Sequence, residues 1–121
     1  VLFYHYFQPD DVVSARLFGE LAEGLVARGW EVTAVPCNRG CRDESVTRPA
    51  AERWNGVDIR RVWRPRFRQA SNVGRLLNAG WMIAAWGLTG PLGRRHRREV
   101  LVVGTDPVFG VLAVLPWAAF R

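Results

Sequence analysis

Hydrophobic and polar positions fall into alternating short and long patterns along the chain. Val1 to Phe7 is apolar almost throughout, the profile of a central parallel strand covered on both faces. After the turn Gln8-Pro9-Asp10-Asp11, the apolar residues Leu17, Phe18, Leu21, Ala22, Leu25 and Val26 recur at spacings of three and four, with Arg16, Glu20, Glu23 and Arg28 largely off their stripe. That spacing predicts a helix from Arg16 to Ala27 packed by one face on a sheet. Gly29 supplies the left-handed stop a helix end favours, and Glu31 to Val35 reads as a second buried strand. Strand, helix and strand make a βαβ unit, whose first loop lies at the carboxyl end of the sheet, where open parallel sheets bind ligands.

From Pro36 to Asn55 the pattern dissolves into Pro, Gly, Asn, Asp, Ser and Thr with no sustained period, which predicts a long, mobile loop. Trp54-Asn55-Gly56-Val57 then turns into a strand, Val57 to Trp63, with Val57, Ile59 and Arg61 on one face and Asp58, Arg60 and Val62 on the other, the alternation of a strand nearer an edge. Arg64 to Gln69 is a basic connector. Ser71 or Asn72 can cap a helix running through Val73, Leu76, Leu77, Trp81, Ala84 and Leu88. Between Ala79 and Leu88 that helix has no polar side, so it is either buried or inserted in something. A fourth strand, Glu99 to Gly104, leads through Thr105-Asp106-Pro107 to an apolar helix from Val108 to Phe120, with Asp106 suited to cap it. A second strand-to-helix loop is thus expected at the same sheet edge as the first.

Length changes the picture little: 121 residues, 49% of them hydrophobic, suffice for one domain with a real core and not for two. The chain opens on a strand residue without methionine and stops inside a helical pattern, so it is expected to be a fragment of a longer protein, residues 1–121 forming one truncated domain. The apolar stretch Ala79 to Leu88 would be about 15 Å long as a helix, roughly half of a bilayer core. A spanning segment is not expected.

Charge changes it more. Every basic side chain counted in the net charge of +6 is arginine, and ten of the seventeen fall between Ile59 and Arg98, a segment without a single acid. The remaining seven face eleven acids. The segment is either a solvated basic surface or a cationic face directed at phosphate or anionic lipid. Arg64, Arg66, Arg68, Arg94 and Arg95, interleaved or flanked by Trp63, Phe67, Trp81 and Trp86, are the candidates for membrane or phosphate contact.

Other chemistries are disfavoured. Cys37 and Cys41 lie four apart, while His5 and His96 are far from them in sequence, which falls short of a metal-ligand set, so no metal is expected. His5, inside an apolar strand, reads first as a satisfied core histidine. No G-x-G-x-x-G follows the first strand, against a dinucleotide-binding domain. No helix-turn-helix or basic-aromatic motif supports nucleic-acid binding.

Taken in order, the pieces resemble the N-terminal domain of GT-B fold glycosyltransferases of the family 4-like, retaining kind. Tyr6-Phe7-Gln8-Pro9-Asp10 after the first strand, the helix Arg16 to Ala27, and Arg28-Gly29-Trp30-Glu31-Val32-Thr33-Ala34-Val35 carry the likeness, with Gly56 to Val62 and Val100 to Pro107 continuing it. The resemblance implies an α/β fold with a Rossmann-like parallel sheet flanked by helices, the acceptor-binding half of a transferase. It further implies that a nucleotide sugar is bound by a second, C-terminal domain, with no other cofactor, and that the acceptor is lipid-linked or a cell-surface glycan. A cytoplasmic enzyme at the inner face of the plasma membrane follows, inactive in this half alone. The family's paired glycines of the first loop are replaced by Asp11-Val12-Val13-Ser14, and a histidine some relatives carry is replaced by Thr105.

The acceptor-site candidates are Gln8, Asp10, Asp11, Ser14, Arg16, Thr105 and Asp106. Carboxylates in these loops can accept hydrogen bonds from sugar hydroxyls, and free helix N–H groups can hold an anion. Alternatively Asp11, Ser14 and Asp106 only cap helices. Arg16 in a first helical turn opposes the helix dipole unless it meets an anion, either a phosphate or Glu20. A reading from another class also stands: a non-catalytic basic module that docks anionic lipid or nucleic acid.

Overall fold

A computed structural model describes residues 1–68, 70–89, 99–107 and 109–119. Five strands, β1 (Leu2–Phe3), β2 (Val32–Ala34), β3 (Ala51–Trp54), β4 (Val57–Arg60) and β5 (Val102–Val103), form one sheet in the order β3-β4-β2-β1-β5. Helix α1 (Val13–Ala27) follows β1, α2 (Asn72–Thr89) follows β4, and α3 (Val111–Ala119) follows β5. Strands β4, β2, β1 and β5 are mutually parallel, and β3 pairs antiparallel with β4 at the edge. The architecture is α/β with a mixed sheet, so the expectation of a wholly parallel sheet is corrected by β3.

The correction has a local cause. Asn55 and Gly56 both have positive φ, 47° and 82°, and connect β3 to β4 in two residues. Asn-Gly is the pair that tolerates this primed turn, which matches the twist of a hairpin. Gly56 is further constrained because a Cβ there would come 2.8 Å from Val26 Cγ1. The sequence Ala51-Glu52-Arg53-Trp54 lacks an apolar alternation, which is why it reads as loop. As an edge strand with exposed residues at 51–53 it needs none.

The stretch from 38 to 50 is likewise ordered rather than a free loop. Arg39 and Thr47 form an antiparallel bridge, Arg48 N–H donates to Asn38 O at 2.8 Å, and Arg39 Nε donates to Arg64 O at 2.7 Å. The excursion folds back on itself and onto the residues that follow β4.

Each sheet face carries its own core. Leu2, Phe7, Val32, Ala34, Val57 and Ile59 meet Ala22 of α1, while Phe3, Tyr6, Val35 and Val62 meet Met82 and Trp86 of α2 and Ala113 and Val114 of α3. Leu2 and Phe3 point to opposite faces as successive strand residues must. Trp86 is fully buried, packs edge-on against Phe3 at 5.7 Å, and donates its indole N–H to Val35 O at 2.9 Å. Helix α2 therefore buries the row Asn78, Met82, Trp86 and leaves Val73, Leu76, Leu77, Trp81 and Leu88 exposed.

Helix ends follow the sequence unevenly. At the end of α1, Gly29 adopts φ 85°, with Gly29 N–H to Val26 O and Trp30 N–H to Leu25 O, the paired bonds of a Schellman stop. Ser71 caps α2, its Oγ accepting from Gly74 N–H at 3.0 Å. Helix α1 starts three residues earlier than expected, with Val12 as N-cap and no side-chain capping bond, so neither Asp11 nor Ser14 caps it. Asp106 does not cap α3 either: a turn closed by Gly110 N–H to Pro107 O at 2.8 Å intervenes before Val111.

Candidate functional site at the carboxyl edge of the sheet

Strand β1 is the point where the strand order reverses, with β2 and β4 added on one side and β5 on the other. Ligands of open α/β sheets bind outside the carboxyl ends of the strands at such a point. The loop after β1 (residues 4–12) and the loop that begins after β5 (104–107) both open there. Each carries a cis peptide before proline, Gln8-Pro9 and Asp106-Pro107.

His5 and Asp106 face each other across this junction, His5 Nδ1 lying 3.7 Å from Asp106 Oδ1, the histidine 1% and the aspartate 44% exposed. That separation exceeds a hydrogen bond, and neither ring nitrogen of His5 has a hydrogen-bond partner among the described residues. The same is true of the buried Tyr6 hydroxyl, and the rings of His5 and Tyr6 stack at 4.3 Å. Leaving a buried donor or acceptor unmatched costs about 1–3 kcal/mol. Such atoms clustered at a sheet edge therefore mark a place kept polar for another reason. Burial pushes the Tyr6 phenol above its ordinary range, with Arg64 pulling back and Cys37, Cys41 and Asp106 adding to the push. At neutral pH it is a neutral donor.

The aspartates of the first loop have different fates. Asp10 is 8% exposed, and its Oδ1 accepts from Cys41 N–H and from Arg48, both at 3.2 Å. It bolts the 38–50 excursion to the end of β1. Asp11 is exposed, facing Arg42 at 3.8 Å, and its carbonyl accepts from Arg42 at 3.1 Å. The Gln8 side chain lies against Gly19 of α1, and its carbonyl accepts from Arg61 at 2.7 Å. Ser14 is half-buried in the first turn of α1. Arg16, in the same turn, is exposed and no ion pair joins it to Glu20, while Thr105 is exposed beside Asp106.

The basic segment is not one face. Arg61 is buried and held by Gln8 O, Pro49 O and Glu52. Arg64 is wholly buried, its N–H donating to Asn38 Oδ1 at 3.0 Å and its guanidinium 3.9 Å from Glu44. A buried guanidinium does not reach a membrane, so Arg64 stands apart from the exposed Arg66 and Arg68. Arg94 and Arg95 lie outside the described residues. Cys37 is buried and its thiol is pushed up to about 11, chiefly by desolvation. Among the described residues, no three His, Cys, Asp or Glu side chains converge as metal ligands, and no helix is long and apolar enough to cross a membrane.

Sequence reasoning did not single out the pair His5 and Tyr6 as a site. The available signal was an adjacent histidine and tyrosine just beyond β1, within an otherwise mostly apolar run. No family model matches the chain, and no curated protein or solved structure is significantly similar to it.

Proposed function

We propose that this chain is the acceptor-side, Rossmann-like half of a GT-B retaining glycosyltransferase, which moves a sugar from a nucleotide sugar to a lipid-linked or cell-surface glycan acceptor. The observation that carries the reading is the reversal of strand order at β1, with Asp106 half-exposed over the buried His5. Asp106 accepts a hydrogen bond from an acceptor hydroxyl, and Thr105 beside it offers a further polar contact. Arg16 stands in the uncapped first turn of α1, where free N–H groups and a guanidinium together suit an anionic part of the acceptor. Asp11 and Ser14 flank that turn. The nucleotide sugar is brought by a second domain, and no other cofactor is required.

Contact with the cytoplasmic face of a membrane belongs to the same proposal. Exposed Val73, Leu76, Leu77 and Leu88 on α2, with Trp63 and Trp81 packed edge-on at 5.3 Å, form an apolar surface beside the exposed Arg66, Arg68 and Arg75. Aromatic and arginine side chains together suit the headgroup layer. This surface also favours the second reading, a basic module that docks anionic lipid without chemistry.

The test is release of nucleoside diphosphate from nucleotide sugars by the full-length protein in the presence of membrane lipid extract. The transferase reading expects lipid-dependent release that Asp106→Asn lowers about tenfold or more, the loss of one charge-assisted hydrogen bond. Binding to anionic vesicles with no turnover of any nucleotide sugar would instead establish the non-catalytic module.

A further inference from the structure

A depression of about 390 Å³ lies between the 38–50 excursion and the connector leading to α2, lined by Cys41, Arg42, Glu44, Arg66, Arg68 and Ala70. We propose that it binds a diphosphate-type oxyanion through the guanidinium groups of Arg42, Arg66 and Arg68. The inference does not depend on the transferase reading.

Three observations converge on it. The first is charge: three arginines and one glutamate line the pocket, and that glutamate also faces the buried Arg64 at 3.9 Å. The glutamate is thus balanced from behind, leaving the three exposed guanidiniums without an equal number of anions. Among the described residues Arg42 faces the exposed Asp11, at 3.8 Å with both side chains more than three-quarters in solvent, and Arg66 is near enough to help lower the exposed Asp43 carboxyl; exposed pairings of this kind are of little worth, and an incoming anion readily replaces them. The Cys41 thiol is raised from its ordinary value by burial and by the nearby Asp10 and Asp106, and stays protonated, adding no negative charge.

The second is fixed geometry beneath flexible side chains. Arg68 O accepts from Ser71 N–H at 3.2 Å and from Ser71 Oγ at 3.1 Å, and Phe67 O accepts from Asn78 Nδ2 at 3.0 Å. A Cβ on Gly74 would overlap the Arg68 carbonyl, so the first turn of α2 and the connector are closely seated. On the opposite wall, Asp10 holds Cys41 N–H and Arg39 holds Glu44 O at 3.1 Å. Both strips of backbone are anchored before any ligand arrives, which lowers the ordering cost of binding.

The third is stoichiometry. A guanidinium fork pairs two oxygens at once, so three forks match two linked phosphoryl groups better than one. At roughly 30 Å³ per water-sized group, the volume holds such an anion with some water.

The experiment is calorimetric titration of inorganic pyrophosphate, and separately inorganic phosphate, into the protein at low and moderate salt. A second arm measures cosedimentation with phosphatidylcholine vesicles containing phosphatidic acid. Pyrophosphate is expected to bind at one site, about tenfold or more tighter than phosphate. Arg66→Gln/Arg68→Gln should weaken it at least about tenfold with an unchanged circular dichroism spectrum. Arg53→Gln/Arg60→Gln removes equal charge from exposed positions outside the pocket and should leave binding within about twofold. Equal losses in the two double variants would reduce the effect to diffuse charge and overturn the proposal. Vesicle binding that needs Arg66 and Arg68 without any binding of soluble pyrophosphate would overturn it too, assigning the surface to a bilayer.

Discussion

The two loops at the reversal point present the same residues in sequence and opposite physics in structure. Each places an aspartate shortly after a strand and before a helix, next to a proline. After β1, Asp10 is sealed in by Cys41 N–H and Arg48, and the loop serves to hold the 38–50 excursion. After β5, Asp106 keeps nearly half its surface in solvent and faces the unmatched His5 at 3.7 Å. Partners and burial, not residue type or spacing, divide a structural carboxylate from an available one.

The sharpest way to break the comparison is to remove each carboxylate in turn. Asp10→Ala strands Arg48 and a backbone N–H in a nearly buried place, and should cost about 2–4 kcal/mol in urea unfolding. Asp106→Ala, half-exposed and without a hydrogen bond among the described residues, should stay within about 0.5 kcal/mol. Comparable losses would erase the distinction.

Next in size is Gly104→Ala, at the mouth of the open loop. A Cβ there would overlap the Tyr4 ring, which itself stacks on Phe18 at 4.5 Å, and overpacking of that kind costs about 1–3 kcal/mol. A neutral result in thermal unfolding would mean that the loop after β5 is not seated on Tyr4.

His5→Phe sharpens the contrast in the other direction. Removing two unmatched ring nitrogens from a 1% exposed site should be neutral or stabilising by about 1 kcal/mol. Denaturant unfolding that instead shows a loss of about 2 kcal/mol would give the histidine a stabilising role like that of Asp10.

An effect confined to alkaline pH concerns Cys37, beneath the same edge. Its thiol titrates near 11 in the fold because burial penalises the thiolate, so the native state holds its proton longer than the unfolded chain. Stability from this group is complete below the ordinary thiol value and is lost as pH rises through about 11. Unfolding followed between pH about 8 and 11 should show that decline in the wild type and a smaller one in Cys37→Ala. At pH 8 an alkylating reagent should modify the half-buried Cys41 well before Cys37.

Much of the scaffold was legible because it rests on short-range rules. The apolar spacing of α1, the Gly29 stop and the Ser71 cap each depend on residues within a few positions of one another, so pattern sufficed to place them. The Asn55-Gly56 hairpin carried an equally local signal, but its partner strand β3 lies at an edge and lacks the apolar alternation that would have revealed it.

What the sequence determined by itself was the order of the elements other than β3, the placing of two loops at one sheet edge, and an acid-free arginine segment. Tertiary structure alone decided which of those charges remain available. The Arg61 guanidinium was drawn inside by Gln8 O, 53 positions away, and the buried Arg64 guanidinium lies 3.9 Å from Glu44, while Arg66 and Arg68 stayed outside against a pocket wall that includes Cys41, Arg42 and Glu44. A charge is neutralised by what lies near it in space. Sequence patterns register neighbours three or four positions apart, and those long-range partners meet only once the sheet has formed.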